Sequence, residues 1–302
     1  RPALTEQIPT RVPHTEVIAI ADEGEISPRV EGEVLIVYPW GSANLGDVLR
    51  RGVRWIHVLG TGVDAFPFHL LSDQVLTCSR GASAVPIGEW VLAAMLAFEK
   101  RLPDAWISAP PAEGWGRGRR GTLYGKTLGL VGLGAIGTTV ARLALPFGMR
   151  VRAYRRTRTP SEIAWVEVID DLLALVESAD HVVLAAPATA ATRQLFNREV
   201  FAHVRPGTHL VNIARGTLVD QDALRAALDE GRVAMASLDA VDPEPLPAGH
   251  WLYTHPRVRV SAHVSWQMPG AAEVLIDCFV DNLQRYRAGA PLTGVVDVAA
   301  GY

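Results

Sequence analysis

Short, almost unbroken apolar runs recur along the chain and alternate with stretches whose apolar residues fall at helical spacing. Over the first 80 residues the runs are VIAIA at 17–21, EVLIVY at 33–38, WIHVLG at 55–60 and QVLTCS at 74–79. Strands this apolar are buried on both faces, which predicts a parallel sheet covered by helices. One crossover helix is predicted within SANLGDVLRRG, opened near Ser42 and stopped by Gly52. A longer helix covers VPIGEWVLAAMLAFEKRL, after which SAPPAEGWGRGRRG at 108–121 breaks all periodicity with Pro, Gly and Arg. The break reads as a loop beside a domain crossing.

From Thr127 the alternation restarts more cleanly: TLGLVGL, a helix from Ala135, MRVRAY at 149–154, DDLLALVESA at 170–179 and HVVLAA at 181–186. It continues through THLVNI at 208–213, DQDALRAALDEG at 220–231, MASLDA at 235–240 and VRVSAH at 258–263. Asp220 is an N-cap candidate and Gly231 a stop. After Pro269, GAAEVLIDCFVDNLQRYRAG reads as one long amphipathic helix that carries the chain back to the first unit. The expected fold class is α/β, with two doubly wound parallel-sheet domains. Residues 1–98 and 269–302 build one, and residues 99–268 are inserted as the other.

With 302 residues, 49% of them hydrophobic, the chain can bury a core in each domain. A net charge of −3 gives no field that gathers polyanions, so nucleic acid and membrane surfaces are not expected partners. No apolar run approaches the roughly 20 residues of a membrane span. The two cysteines, Cys78 and Cys278, lie far apart in no paired spacing, so neither a disulfide framework nor a metal site is expected, and a reducing cytoplasm fits.

The sharpest chemical signal is VGLGAIG, a GxGxxG turn between a predicted strand and a predicted helix. Gly132 permits the tight turn, Gly134 lets a pyrophosphate approach the backbone, and Gly137 lets helix and strand pack closely. With Ala135 and Ile136 they open a helix whose N-terminal N–H groups and dipole favour phosphate. This is the fingerprint of a Rossmann-type dinucleotide domain. The carboxylate that would hold an adenosine ribose is missing at the end of the next strand, where Arg155 and Arg156 stand instead. Guanidinium groups there suit a 2′-phosphate, so NADP is expected above NAD.

Arg215 in VNIARG, Glu244 in LDAVDPEP and His263 in VSAHVSW each follow a predicted strand, where open α/β sheets put their ligands. Together they offer a cation for a substrate carboxylate, an acid–base group, and a carboxylate to orient that group.

These motifs, with LGTGVD at 59–64, GEWVLAAML at 88–96, AAPATAATRQLFN at 185–197 and VNIARGTLVD at 211–220, resemble the D-isomer-specific 2-hydroxyacid dehydrogenases. Glyoxylate and hydroxypyruvate reductases are members of that family. The resemblance implies that Arg215 holds the substrate carboxylate and carbonyl, that His263 donates the proton, and that Glu244 pairs with it. It further implies that the N–H groups of Thr61 and Gly62 bind the acid, that Asp239 lies near the nicotinamide amide, and that Pro187 and Ile213 line the cofactor. The cofactor domain would be inserted into a flavodoxin-like substrate domain, the substrate would be a small 2-oxo or 2-hydroxy acid, and the assembly a homodimer. Trp40 and Trp266 stand where they could border a substrate side chain. A non-catalytic NAD(P)-sensing co-regulator on the same fold is the rival, and it would have no use for a charged proton donor.

Overall fold

A computed structural model describes residues 4–111, 114–155, 161 and 163–302. The chain divides into two compact units, a split one of Arg1–Ser83 with Met268–Tyr302 and an inserted one of Ala84–Gln267.

The split unit contains α1 (Leu4–Arg11), β1 (Val34–Val37), α2 (Leu45–Leu49), β2 (Trp55–Val58) and β3 (Val75–Cys78). The strands pair in parallel in the order β1-β2-β3. Leu45, Val48 and Leu49 of α2 cluster with Ile56, Val58 and Leu76 on one face. On the other, Ile8 of α1 and the long C-terminal helix, through Ile276, Phe279 and Leu283, pack with Trp55. The Trp55 ring stacks at 5.5 Å on Phe279 and at 5.3 Å on Tyr286. Cover on both faces is why these strands are mostly apolar, and the buried exceptions, His57 of β2 and Thr77 of β3, bond to each other at 2.8 Å.

Residues 17–21, expected to be a strand, form none. Val17 packs into one cluster and Ile20 into the other, while Ile18 is 45% exposed. The apolar run therefore serves packing rather than a hydrogen-bonded ladder.

The inserted unit runs α3 (Ala84–Lys100), β4 (Thr127–Val131), α4 (Ala135–Ala144), β5 (Arg150–Tyr154), β6 (Val166–Ile169), α5 (Leu172–Ser178) and β7 (His181–Leu184). It continues with α6 (Arg198–His203), β8 (Thr208–Asn212), α7 (Gln221–Asp229), β9 (Val233–Leu238) and β10 (Val258–Val260), and α8 (Ala271–Arg287) then belongs to the split unit. All seven strands are parallel, in the order β10-β9-β8-β7-β4-β5-β6. The chain winds outward from β4 to β6, returns to β7 beside β4, and winds outward the other way. Helices α3 and α4 cover one face and α5, α6 and α7 the other.

Val91, Leu92 and Met95 of α3 share a core with Leu130, Val140 and Val151, so the whole helix joins the inserted unit. The division at Ala84 thus precedes the expected one at 98/99. Among the described residues no helix is long and apolar enough to cross a membrane.

Candidate active site

Helices α5, α6 and α7 are capped by side chains. Asp171 accepts from the N–H groups of Leu173 and Ala174, Asn197 from Val200, and Asp220 from Asp222 and Ala223. Helix α4 opens on Gly134 with no side-chain cap, so no capping side chain competes with an anion for its first N–H groups. It opens beside β4 and β7, where the winding reverses and α/β sheets bind their ligands.

The three glycines fit a dinucleotide for separate reasons. Gly132 has φ +103°, and a β-carbon there would lie 2.7 Å from the Ala185 carbonyl oxygen. A β-carbon at Gly137 would lie 2.3 Å from the Gly132 oxygen, so close helix–strand packing forbids it. At Gly134 a β-carbon would meet nothing within 4 Å. Protein packing does not require that glycine, and the open space in front of it suits a phosphate. Ala135 is exposed and Ile136 half-buried beside it.

Arg155 directly follows β5 and lines a hollow with Ser161, Ile163, Ile169 and Asp170. Arg156 lies outside the described residues. Exposed Pro187 follows β7, its carbonyl taking the Thr192 hydroxyl at 2.7 Å, and buried Ile213 follows β8.

Arg215, Glu244 and His263 hang from the carboxyl ends of the neighbouring strands β8, β9 and β10. Buried Asn212 anchors the first turn. Its amide donates to the carbonyls of Arg215 (3.0 Å) and Ala240 (3.2 Å), while its oxygen accepts from Ala214 N–H (3.0 Å). A β-carbon at Gly216 would sit 1.9 Å from the Val241 carbonyl carbon, so the Arg215 turn abuts the 241–244 loop directly. The Glu244 carboxylate uses both oxygens. One accepts the Val241 N–H at 2.9 Å, and the other accepts from His263 Nδ1 at 2.8 Å. With Nδ1 donating, Nε2 is the ring nitrogen left for exchange with a ligand.

Asp239, 1% exposed at the end of β9, binds the loop that carries His263. Its Oδ1 accepts from the Ser261 hydroxyl (2.5 Å) and Val264 N–H (2.9 Å), and its Oδ2 from Ser265 N–H (2.9 Å). Burial pushes this carboxyl upward, but the bonds from Ser261, Ser265 and Val264 outweigh it and hold the group below its ordinary value. The Trp266 indole donates to the His263 carbonyl at 2.9 Å. Asn212, Gly216 and Ser261 escaped the sequence reading; the local signal that could have found one of them is the glycine directly after Arg215, where the close backbone approach requires it.

Thr61 and Gly62 lie in the split unit, in the loop after β2. A β-carbon at Gly60 would meet Pro39 at 2.7 Å, and Gly60 accepts the Ser79 N–H at 2.9 Å, which pins the loop. After β1, Tyr38 and Trp40 stack at 5.2 Å, with Trp40 66% exposed. Among the described residues no group of three or more His, Cys, Asp or Glu could hold a metal ion.

Residues 92–265 match the family described as D-isomer specific 2-hydroxyacid dehydrogenase, NAD binding domain. A glyoxylate/hydroxypyruvate reductase A of Yersinia enterocolitica is 34% identical over 273 residues, 84% of this chain and 83% of the relative. A D-3-phosphoglycerate dehydrogenase of Methanocaldococcus jannaschii is 33% identical over 243 residues, which span 78% of this chain but only 46% of that enzyme. The crystal structure of a D-isomer specific 2-hydroxyacid dehydrogenase from Xanthobacter autotrophicus Py2, in complex with NADPH and MES, superposes with a TM-score of 0.84. It is 28% identical, and the match covers 98% of this chain and 94% of that one. The chain belongs to the D-isomer-specific 2-hydroxyacid dehydrogenases.

Proposed function

We propose that this enzyme reduces a small 2-oxo acid with NADPH, glyoxylate to glycolate or hydroxypyruvate to D-glycerate first, and that chiral products have the D configuration. The observation that carries the reading is the His263–Glu244 pair, with Nδ1 committed to the carboxylate at 2.8 Å and Nε2 left to exchange a proton. The reductase name of the 34% identical relative and the NADPH bound in the 28% identical structure support the substrate class and the cofactor.

The glycine turn and the uncapped start of α4 would hold the pyrophosphate, and Arg155 the 2′-phosphate. When bound, NADPH supplies the hydride to the carbonyl carbon. Arg215 binds the substrate carboxylate and carbonyl oxygen through its planar fork. His263 delivers a proton from Nε2 to the carbonyl oxygen, and Glu244, itself held by Val241 N–H, keeps the ring in place and balances its charge.

The enzyme acts as a homodimer in this reading. Trp106, Trp115 and Tyr124 are 76%, 80% and 77% exposed, and burial of such large rings against a second copy would favour the dimer. Sedimentation giving a monomer at micromolar concentration contradicts that part. For the reaction, NADPH and NADH oxidation is followed with a panel of 2-oxo acids and the product resolved on a chiral column. NADPH-dependent formation of D-glycerate from hydroxypyruvate is expected. No turnover of any 2-oxo acid, or an L-product, refutes the reading.

A further inference from the structure

His263 has φ +54°, a left-handed backbone conformation that side-chain-bearing residues seldom adopt. Something must hold it there. Glu244 reaches only the ring, and a ring contact does not dictate the backbone angle. The donors that flank His263 converge elsewhere. The Ser261 hydroxyl comes from two positions before it and the N–H groups of Val264 and Ser265 from the two positions after it, and all three end on the Asp239 carboxylate.

We propose that Asp239 is a positioning residue for the reaction: its carboxylate clamps the backbone on both sides of His263 and so aims the ring that Glu244 orients. The inference rests on His263 being the proton donor of the proposed function.

Asp239 is itself anchored. It follows β9, and its own N–H donates to the Asn212 carbonyl at 2.9 Å, while Ser261 N–H donates to Leu238 O at 2.9 Å across the β9–β10 pair. The clamp therefore grows from two paired strands rather than from a loop. Trp266 adds a bond to the His263 carbonyl. The charge also suits the task, because a carboxylate is acceptor-only and all three groups around it are donors. The bonds from these donors keep the acid below its ordinary value despite burial, so it remains ionised while His263 gains and loses its proton. An amide in the same place presents an NH2 to at least one of the donors and must release it.

This role differs from a contact with the nicotinamide amide, the place the family resemblance gives Asp239, and the two are separable. Asp239→Asn is expected to lower kcat at least fiftyfold, while the dissociation constant for NADPH, read by fluorescence titration, and KM for the 2-oxo acid stay within threefold. That split between kcat and the two affinities is one that mere loss of stability would not produce. A variant with kcat within fivefold of the parent overturns the proposal. So does a tenfold weaker NADPH affinity with kcat preserved, which would assign Asp239 to the cofactor. If the variant does not fold, residue-level amide hydrogen exchange on the unaltered protein decides. Protection at Val264 and Ser265 matching that of the β4 interior is expected, and exchange at the rate of an open loop overturns the clamp. That measurement needs no turnover, so an enzyme inactive towards every 2-oxo acid counts against the proposed reaction alone.

Discussion

Replacing Gly134 by alanine should abolish tight cofactor binding while leaving the fold intact. Gly134 has φ −82° and ψ −162°, extended backbone that alanine adopts freely, and the added methyl meets nothing within 4 Å. Alanine is the poorer N-cap by about 0.5–1 kcal/mol, while the loss of chain entropy in the unfolded state returns about 0.4–1 kcal/mol. Folding stability should thus change by less than about 1 kcal/mol. The methyl fills the approach of the pyrophosphate to the first N–H groups of α4. Losing even one charge-assisted hydrogen bond there, at about 1.5–3 kcal/mol, weakens NADPH roughly ten- to a hundredfold. Gly137→Ala is the converse case. Its β-carbon would lie 2.3 Å from the Gly132 carbonyl oxygen, backbone against backbone, so α4 must move off β4 at a cost of about 1–3 kcal/mol or more. Fluorescence titration with NADPH and thermal melts of both variants test the contrast. A Gly134→Ala protein that binds NADPH within threefold of the parent, or a Gly137→Ala protein that melts where the parent does, would refute the reasoning.

The remaining predictions concern charge. Arg215→Lys should lose at least about tenfold in kcat/KM for 2-oxo acid reduction, because lysine lacks the two-pronged geometry, and near-parental kinetics would reassign Arg215 to a structural ion pair. Arg155→Asp should raise the NADH/NADPH ratio of kcat/KM by roughly ten- to a hundredfold, and an unchanged ratio would remove Arg155 from the phosphate site. Acid should weaken the inserted unit through the buried chain in which Lys126 and His181 Nε2 bond the Glu99 carboxylate, His181 meets His209 at 3.2 Å and His209 meets Ser237 at 2.9 Å. Burial, then the neighbouring His181 and Lys126, hold His209 well below its ordinary 6.5. Unfolding therefore takes up a proton, and stability falls as pH drops below about 6.5. Burial pushes Glu99 upward, but bonds from His181 and Lys126 leave it below its ordinary 4.5, so its contribution is lost at still lower pH, in the same direction. Melting temperature followed from pH 7 to 5 should fall less steeply in His209→Gln, and equal slopes would contradict the assignment.

The sequence declared most of the architecture because a parallel sheet covered on both faces demands unbroken apolar strands. Leu128, Leu130, Val182, Val183 and Val211, all fully buried, are such residues. The same signal misled at 17–21, since apolarity reports burial and not pairing. The short α1, with Pro9 inside it, gives too few turns to be recognised, and in β6 Glu167 interrupts the apolar run that marked most other strands. Glycine spacing announced the cofactor turn, and strand ends announced Arg215, Glu244 and His263. Asp239 was legible only through the family resemblance, which set it near the nicotinamide amide; its three contacts reach residues 22 to 26 positions away, which no local pattern encodes.

The central claim is that His263 supplies the proton in an NADPH-dependent reduction. Steady-state kcat for hydroxypyruvate with NADPH, measured for the parent and for His263→Gln beside the NADPH dissociation constant of each, tests it most directly. The account predicts a variant slowed by about a hundredfold or more that still binds NADPH as the parent does. A variant that retains the parent rate would contradict it.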